Sequence, residues 1–173
     1  MASTLAELVT RERPQRLVML DPNIRVGLVP DSEYRDRLQT AISQSTIVKA
    51  SEADLAWIYP GLDYEQAGER VLADGVSLVV VTLGEKGAFG ATHRGARMRV
   101  AAPRVDVVDT IGAGDAFGAA LLAWLHDHDV LRSDLRLDPD ELKAALDYAC
   151  LAGAITCSRA GADPPWKREM NFI

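Results

Sequence analysis

Residues 109–115 read Asp-Thr-Ile-Gly-Ala-Gly-Asp and join small residues to a carboxylate just where an apolar helical pattern begins. Ala116, Phe117, Ala119, Ala120, Leu121, Ala123, Trp124 and Leu125 continue that pattern. The backbone N–H groups of Gly112, Ala113 and Gly114 therefore gather at a helix N-terminus, where unpaired donors and the positive end of the dipole favour anions. Asp115 sits beside that anion site. A carboxylate there can take a proton from an attacking hydroxyl while the amides stabilise charge on a transferring phosphoryl group. The bland alternative for Asp115 is an acid that complements the helix dipole; the Gly-Ala-Gly and Asp-Thr before it favour the chemical reading. Gly118 falls one position too late for a dinucleotide fingerprint begun at Gly112, and no G-x-x-x-x-G-K-[ST] run occurs, which excludes a P-loop.

Two further stretches carry candidate ligand contacts. In Asp21-Pro22-Asn23-Ile24-Arg25 the Arg25 guanidinium, charged at any relevant pH, suits a phosphate clamp as well as it suits a solvated surface position. Asn23 and Lys49 are its weaker companions. Thr82-Leu83-Gly84 ends the strand-like run Ser-Leu-Val-Val-Val-Thr at 77–82, at the carboxyl edge where open α/β sheets bind ligands. Glycines at 84, 87 and 90 let the backbone approach a ligand closely.

The heptapeptide at 109–115 resembles the signature of the ribokinase or PfkB family of carbohydrate kinases. Asp21 to Arg25 looks like that family's D-x-N-x-R segment, Thr82-Leu83-Gly84-Glu85-Lys86-Gly87-Ala88 is similar to its T-x-G-x-x-G nucleotide turn, and 158–165 resembles its closing segment. The order is the family's own. The resemblance covers nearly all of residues 1–173 but only the C-terminal, nucleotide-binding and catalytic part of a full-length member; the N-terminal sugar-binding and lid region has no counterpart. It implies a ribokinase-like layered α/β/α domain with a mostly parallel sheet, truncated at the N-terminus. It further implies a fructokinase-like kinase that uses ATP and Mg²⁺ to phosphorylate a small, fructose-like sugar. Asp115 would be the base, Gly112, Ala113 and Gly114 the anion hole, and Thr82, Gly84 and Gly87 contacts to ATP. Asp109, with backbone carbonyls near Ile111, Thr156, Arg159 and Gly161, resembles the family's K⁺ site. Ala149 and Gly153 resemble the wall of the adenine pocket, though small residues there equally permit close helix packing. Ser51-Glu52-Ala53-Asp54 stands where the family has N-x-x-E; Asp54 would organise Mg²⁺ through water, and a helix cap explains the same residues. The competing class is a non-catalytic nucleotide-binding module, or a subunit that forms a homo-oligomer or completes a partner chain.

The elements that must position these residues follow from periodicity. Residues 2–11 suit a short amphipathic helix with Leu5, Leu8 and Val9 on one side, and 16–21 a covered parallel strand. Helices are predicted at 32–43, from an N-cap at Ser51 to Pro60-Gly61, and at 63–73, with a short strand at 46–49. Residues 77–82 read as a central strand; 88–92 and 97–101 predict an antiparallel stretch at one edge. Long helices are expected at 115–126 and 139–158, the second capped by Asp138 with Pro139 in its first turn.

Composition limits the rest. At 173 residues the chain suits one core, and a hydrophobic fraction of 48% with 25% charged residues is ordinary for a globular protein. A formal charge of −6 disfavours nucleic acid and acidic membranes. The absence of a spanning run or signal-like opening makes the cytoplasm the expected location. Cys150 and Cys157 read as buried thiols, and three histidines without ligand spacing argue against zinc.

Overall fold

The computed structural model describes residues 2–25 and 31–170. Five strands, β1 (Met19–Leu20), β2 (Ile47–Ser51), β3 (Leu78–Thr82), β4 (Ala88–Thr92) and β5 (Arg97–Val100), hydrogen-bond in the order β1-β2-β3-β4-β5. β1 and β2 are parallel, with Met19 opposite Ile47 and Leu20 opposite Val48. The N–H groups of Thr46 and Ile47 both donate to the Val18 carbonyl, and those of Ser77 and Leu78 both donate to the Thr46 carbonyl, so β3 repeats the parallel step. The next pair reverses direction: His93 N–H donates to Ser77 at 3.0 Å and Leu83 N–H to Gly87 at 2.8 Å, which makes β4 antiparallel to β3. Thr92 N–H to Ala96 O closes the hairpin into β5. The sheet is thus parallel through β3, with the expected antiparallel stretch at one edge. β1 is shorter than the predicted 16–21, because Arg16 is still held in a turn, its N–H donating to the Glu12 carbonyl, and because Pro22 has no N–H with which to extend the ladder at the other end. β3 is the central strand, and Leu78, Val79, Val80 and Val81 are fully buried, as a strand covered on both faces should be.

The described residues divide into two compact units. The first runs to Val81 and adds 90–97 and 132–136. It holds α1 (Ala2–Glu12), α2 (Asp31–Ser43), α3 (Glu52–Ile58) and α4 (Tyr64–Ala73). Ser51 caps α3 and Asp63 caps α4, each in a reciprocal box with the residue three positions on, Asp54 and Gln66. The core here is Leu38, Ile42, Ile47, Val48, Leu55, Val71 and Leu72. Arg35 closes the end of α3 by donating to the carbonyls of Trp57 and Ile58 while its guanidinium lies 3.8 Å from the Trp57 ring centre. In α1, by contrast, Leu5 and Leu8 are exposed.

The second unit contains 82–89, 98–131 and the chain from Leu137 on. Its two long helices, α5 (Ala113–Asp127) and α6 (Pro139–Cys157), pack on each other. Asp138 caps α6 by accepting from the N–H groups of Asp140 and Glu141, and Glu141 reaches back to the Asp138 N–H. α5 begins two residues before the predicted start, because Gly112 rather than Gly114 serves as N-cap. Phe117, Leu121 and Leu125 of α5 and Leu142, Leu146 and Ala149 of α6 are buried. Cys150 is buried as expected, and burial pushes its thiol up to about 12; Cys157, the last residue of α6, is only half-buried. Among the described residues no group of three or more His, Cys, Asp or Glu side chains could hold a metal, and no helix is long and apolar enough to cross a membrane.

Candidate functional site

In the second unit, residues 109–115 form the turn into α5. Gly112 has φ +76° and ψ −3°, the left-handed conformation that L side chains resist, and the helix follows at once. A Cβ at Gly112 would also lie 2.7 Å from the Ala162 Cβ, so glycine is required twice over. Of the three predicted anion-hole amides, Ala113 N–H turns back to the Thr110 carbonyl at 3.3 Å. The N–H groups of Gly112 and Gly114 have no partner among the described residues, which leaves two open donors at the positive end of a 15-residue helix. Asp115, the third residue of that helix, is exposed, and its carboxylate pairs with no described side chain.

Asp109 does not face solvent freely. Its Oδ1 accepts from Ile111 N–H and its Oδ2 from Gly161 N–H, both at 3.0 Å, and these bonds hold its carboxyl below the usual carboxylate range. The Cys157 carbonyl, at the end of α6, accepts from Val108 at 2.8 Å and Asp109 at 3.2 Å. The loop is therefore tied to both the end of α6 and the segment after it. Of the other residues expected about a cation, Thr156 is fully buried and its carbonyl accepts from Arg159 N–H, while the Gly161 carbonyl accepts from Asp163 N–H. Ile111 is exposed.

The turn after β3 separates its two glycines by role. Gly84, at φ +59°, opens the 3-10 turn Gly84–Lys86, and a Cβ there would meet nothing within 4 Å, so a ligand has room to approach. Gly87 does not offer that room. A Cβ on it would lie 2.0 Å from the Val100 carbonyl oxygen and 2.7 Å from the Ala102 nitrogen, so the space it leaves is filled by the exit of β5. Ala149 exposes no surface and belongs to helix packing, whereas Gly153 is half-buried and a Cβ there would make only ordinary contact, 3.4 Å, with the Ala113 carbonyl of α5.

In the first unit, the residues at the carboxyl ends of β1 and β2 form a second polar constellation. The Lys49 side chain is 6% exposed, and its Nζ donates to Asp21 Oδ2 at 2.6 Å. Asp54 Oδ1 accepts from Ile24 N–H at 3.0 Å, and its Oδ2 accepts from Ser51 N–H at 3.0 Å and Ser51 Oγ at 2.6 Å. The carboxylate that caps α3 thus also fixes the 21–25 segment. Asn23 has φ +38° and is exposed. Arg25 is exposed with no ion pair among the described residues. Sequence reasoning missed Asp21 as the partner of Lys49; the available signal was a lysine inside the apolar run Ile-Val-Lys-Ala, which demands a buried counter-charge.

Known proteins resemble this chain in sequence and in fold. Residues 2–169 match the model of the pfkB family of carbohydrate kinases. A fructokinase of Rhizobium leguminosarum bv. trifolii is 38% identical over 147 residues, covering 83% of this chain and 45% of that protein. The crystal structure of aminoimidazole riboside kinase from Salmonella enterica, complexed with aminoimidazole riboside and an ATP analogue, superposes with a TM-score of 0.80 at 28% identity, over 96% of this chain and 55% of that one. A fructokinase from Vibrio cholerae O395 in its fructose-, ADP- and calcium-bound form gives a TM-score of 0.78 at 28% identity, over 92% and 51%. The chain spans about half the length of the relatives it matches. With a family match over residues 2–169 and a ribokinase-like α/β fold in common with these structures, the chain belongs to the pfkB family of carbohydrate kinases.

Proposed function

We propose that this chain supplies the nucleotide-binding and catalytic part of a fructokinase-like enzyme that transfers the γ-phosphoryl group of ATP to a sugar hydroxyl. The observation that carries the reading is the start of α5: two open N–H groups, at Gly112 and Gly114, beside the exposed, unpaired carboxylate of Asp115. In this role Asp115 accepts the proton of the attacking hydroxyl, and the amides with the helix dipole stabilise the negative charge that spreads over the transferring group. A carboxylate beside an anion-binding turn repels phosphate and so works against binding alone, which favours transfer over a module that only holds nucleotide. Thr82 and Gly84 lie at a turn with room for the nucleotide, and the exposed Arg25 and Asn23 are proposed as phosphate contacts, while the Lys49 ammonium is taken by Asp21. The cytoplasm, where ATP is abundant, is the proposed setting.

The two metal expectations fare differently. Asp54 has three of its roughly four acceptor sites engaged by Ile24 and Ser51, so it serves first as cap and segment anchor, and the one site left suits the water-mediated Mg²⁺ contact proposed for it better than direct ligation. The donors of the Asp109 loop are oxygens, the type that suits a hard monovalent cation, and Asp109, Ile111, Thr156, Arg159 and Gly161 are proposed to hold K⁺. When bound, that ion would supply positive charge beside the anion hole.

The test titrates the purified chain with Mg-ATP, with and without K⁺, and follows ADP release with fructose in a coupled assay. Fructose-dependent ADP release that falls by about a hundredfold or more in Asp115→Ala, with Mg-ATP affinity retained, is the expected result. Mg-ATP binding with no transfer in either protein would refute transfer by this chain.

A further inference from the structure

We propose that Glu169 is a positioning residue for the anion-binding turn, acting through the strap of chain that follows α6. Residues 158–170 leave the end of α6 and are held at several points along the second unit. Gly161 N–H is bound by Asp109, and the Ala162 side chain sits against the Cα of Gly112, so the strap meets the turn on both sides of Ile111. At its far end Met170 is buried against Ala120 of α5 and Ala152 of α6, with Tyr148, Leu151 and Ile155 around it. Lys167 Nζ reaches Asp127 at the end of α5, at 2.6 Å.

Glu169 closes this strap into a loop. One carboxylate oxygen pairs with the Arg159 guanidinium and the other accepts from Trp166 N–H at 2.8 Å. Arg159 also reaches Asp163 at 3.5 Å. The Arg159 and Glu169 side chains thus span the short stretch that carries Gly161 and Ala162. That stretch contains Gly161 in the left-handed conformation, φ +73°, so no helix or strand ladder fixes it. Its position depends on the two ends that Glu169 ties together. Because a Cβ at Gly112 would overlap Ala162, a displacement of the strap moves directly into the space beside the turn. The Asp109 carboxylate transmits the same displacement to Ile111 N–H, and hence to the amides that follow. The proposal rests on the kinase reading only for its functional consequence; the mechanical coupling stands apart from it.

The experiment measures residue-resolved amide hydrogen exchange in the full chain for the wild type, Glu169→Gln and Arg159→Lys, with Mg-ADP titrated into each by calorimetry. Glu169→Gln keeps an acceptor for Trp166 and removes the ion pair; Arg159→Lys keeps the charge. The expected result is faster exchange at Ile111 and Gly161 in Glu169→Gln, by about threefold to fivefold, as for loss of a partly exposed ion pair. α3 and α4 should be unchanged, and Arg159→Lys should remain close to wild type. Weaker Mg-ADP binding by Glu169→Gln, by a similar factor, completes the prediction. Unchanged exchange at Ile111 and Gly161, or acceleration spread evenly over the chain, overturns it. If the wild type itself binds no Mg-ADP, the kinase reading fails while the exchange data still decide the coupling.

Discussion

Lys49 sits in the middle of an apolar strand, and its one partner is a carboxylate that is itself only 28% exposed at the side chain. Two charges taken this far from water are tolerated because each satisfies the other, and removing one strands its partner. Asp21→Asn is therefore expected to cost about 1–3 kcal/mol, discounted for the partial exposure of Asp21. Asp21→Asn combined with Lys49→Met should recover part of that loss, since no buried ammonium is left unpaired. Urea unfolding of the two single variants and the double variant checks this; additive losses would mean that the pair is not coupled. The same logic separates the cysteines: the Cys150 thiol, pushed up by burial, has little thiolate to offer.

At the scale of elements, caps and close backbone approaches set where each segment begins and how near it lies to the next. α3, α4 and α6 each start from a side chain that satisfies the first free amides, so their starts were legible in the residue order Ser-x-x-Asp, Asp-x-x-Gln and Asp-Pro-x-Glu. α5 is the exception. Its N-cap is glycine, with no side-chain oxygen to occupy the amides, and that leaves the donors of Gly112 and Gly114 open to a ligand. The turn after β3 gives a sharper test of roles, because its two glycines look equivalent in sequence. Gly87→Ala must place a Cβ 2.0 Å from the Val100 carbonyl at φ +101°, and is expected to cost about 3–5 kcal/mol through combined strain and overlap. Gly84→Ala meets only open space, so it should cost about 1–2 kcal/mol, for the left-handed backbone alone. Chemical denaturation ranks the two, and an equal loss would contradict the packing role of Gly87.

For the whole molecule, the shifts that bear on acid stability are those of carboxylates held low by donors. Asp109 is lowered by the N–H groups of Ile111 and Gly161, Glu169 by Trp166 N–H and Arg159, Asp127 by Lys167, Glu69 by Arg97 and Glu12 by Arg11 and Arg16. Each folded value lies below the unfolded one, so each contribution is present in full above the ordinary carboxylate range and is lost as pH falls through the folded values. Thermal unfolding should therefore be nearly flat from pH 7 to about 5 and decline below about pH 4. Protonation of the 25 acidic residues also leaves 19 Lys and Arg unopposed, and their repulsion adds to the decline. Asp109→Asn should shallow the acid limb; an unaltered limb would show that this carboxylate is not among the groups that set it.

The residue order alone determined the helices, the caps of α3 and α6, the buried central strand, the antiparallel edge and a glycine-rich helix start that leads into Asp115. These are local consequences of periodicity, of backbone donors at a helix start, and of the few residues that tolerate a given φ. Only the tertiary structure decided that Gly87 yields its space to the chain's own backbone, that Ala149 is packed and not open, and that Asp54 is engaged by Ile24 from 30 residues away. It likewise decided that Lys49 meets Asp21 and that Gly161 meets Asp109 across 52 residues. A small residue reads identically whether a ligand or another strand fills the space beside it, and a carboxylate reads identically whether its oxygens are open or spent. Which holds depends on segments far apart in the chain, and packing alone brings those together.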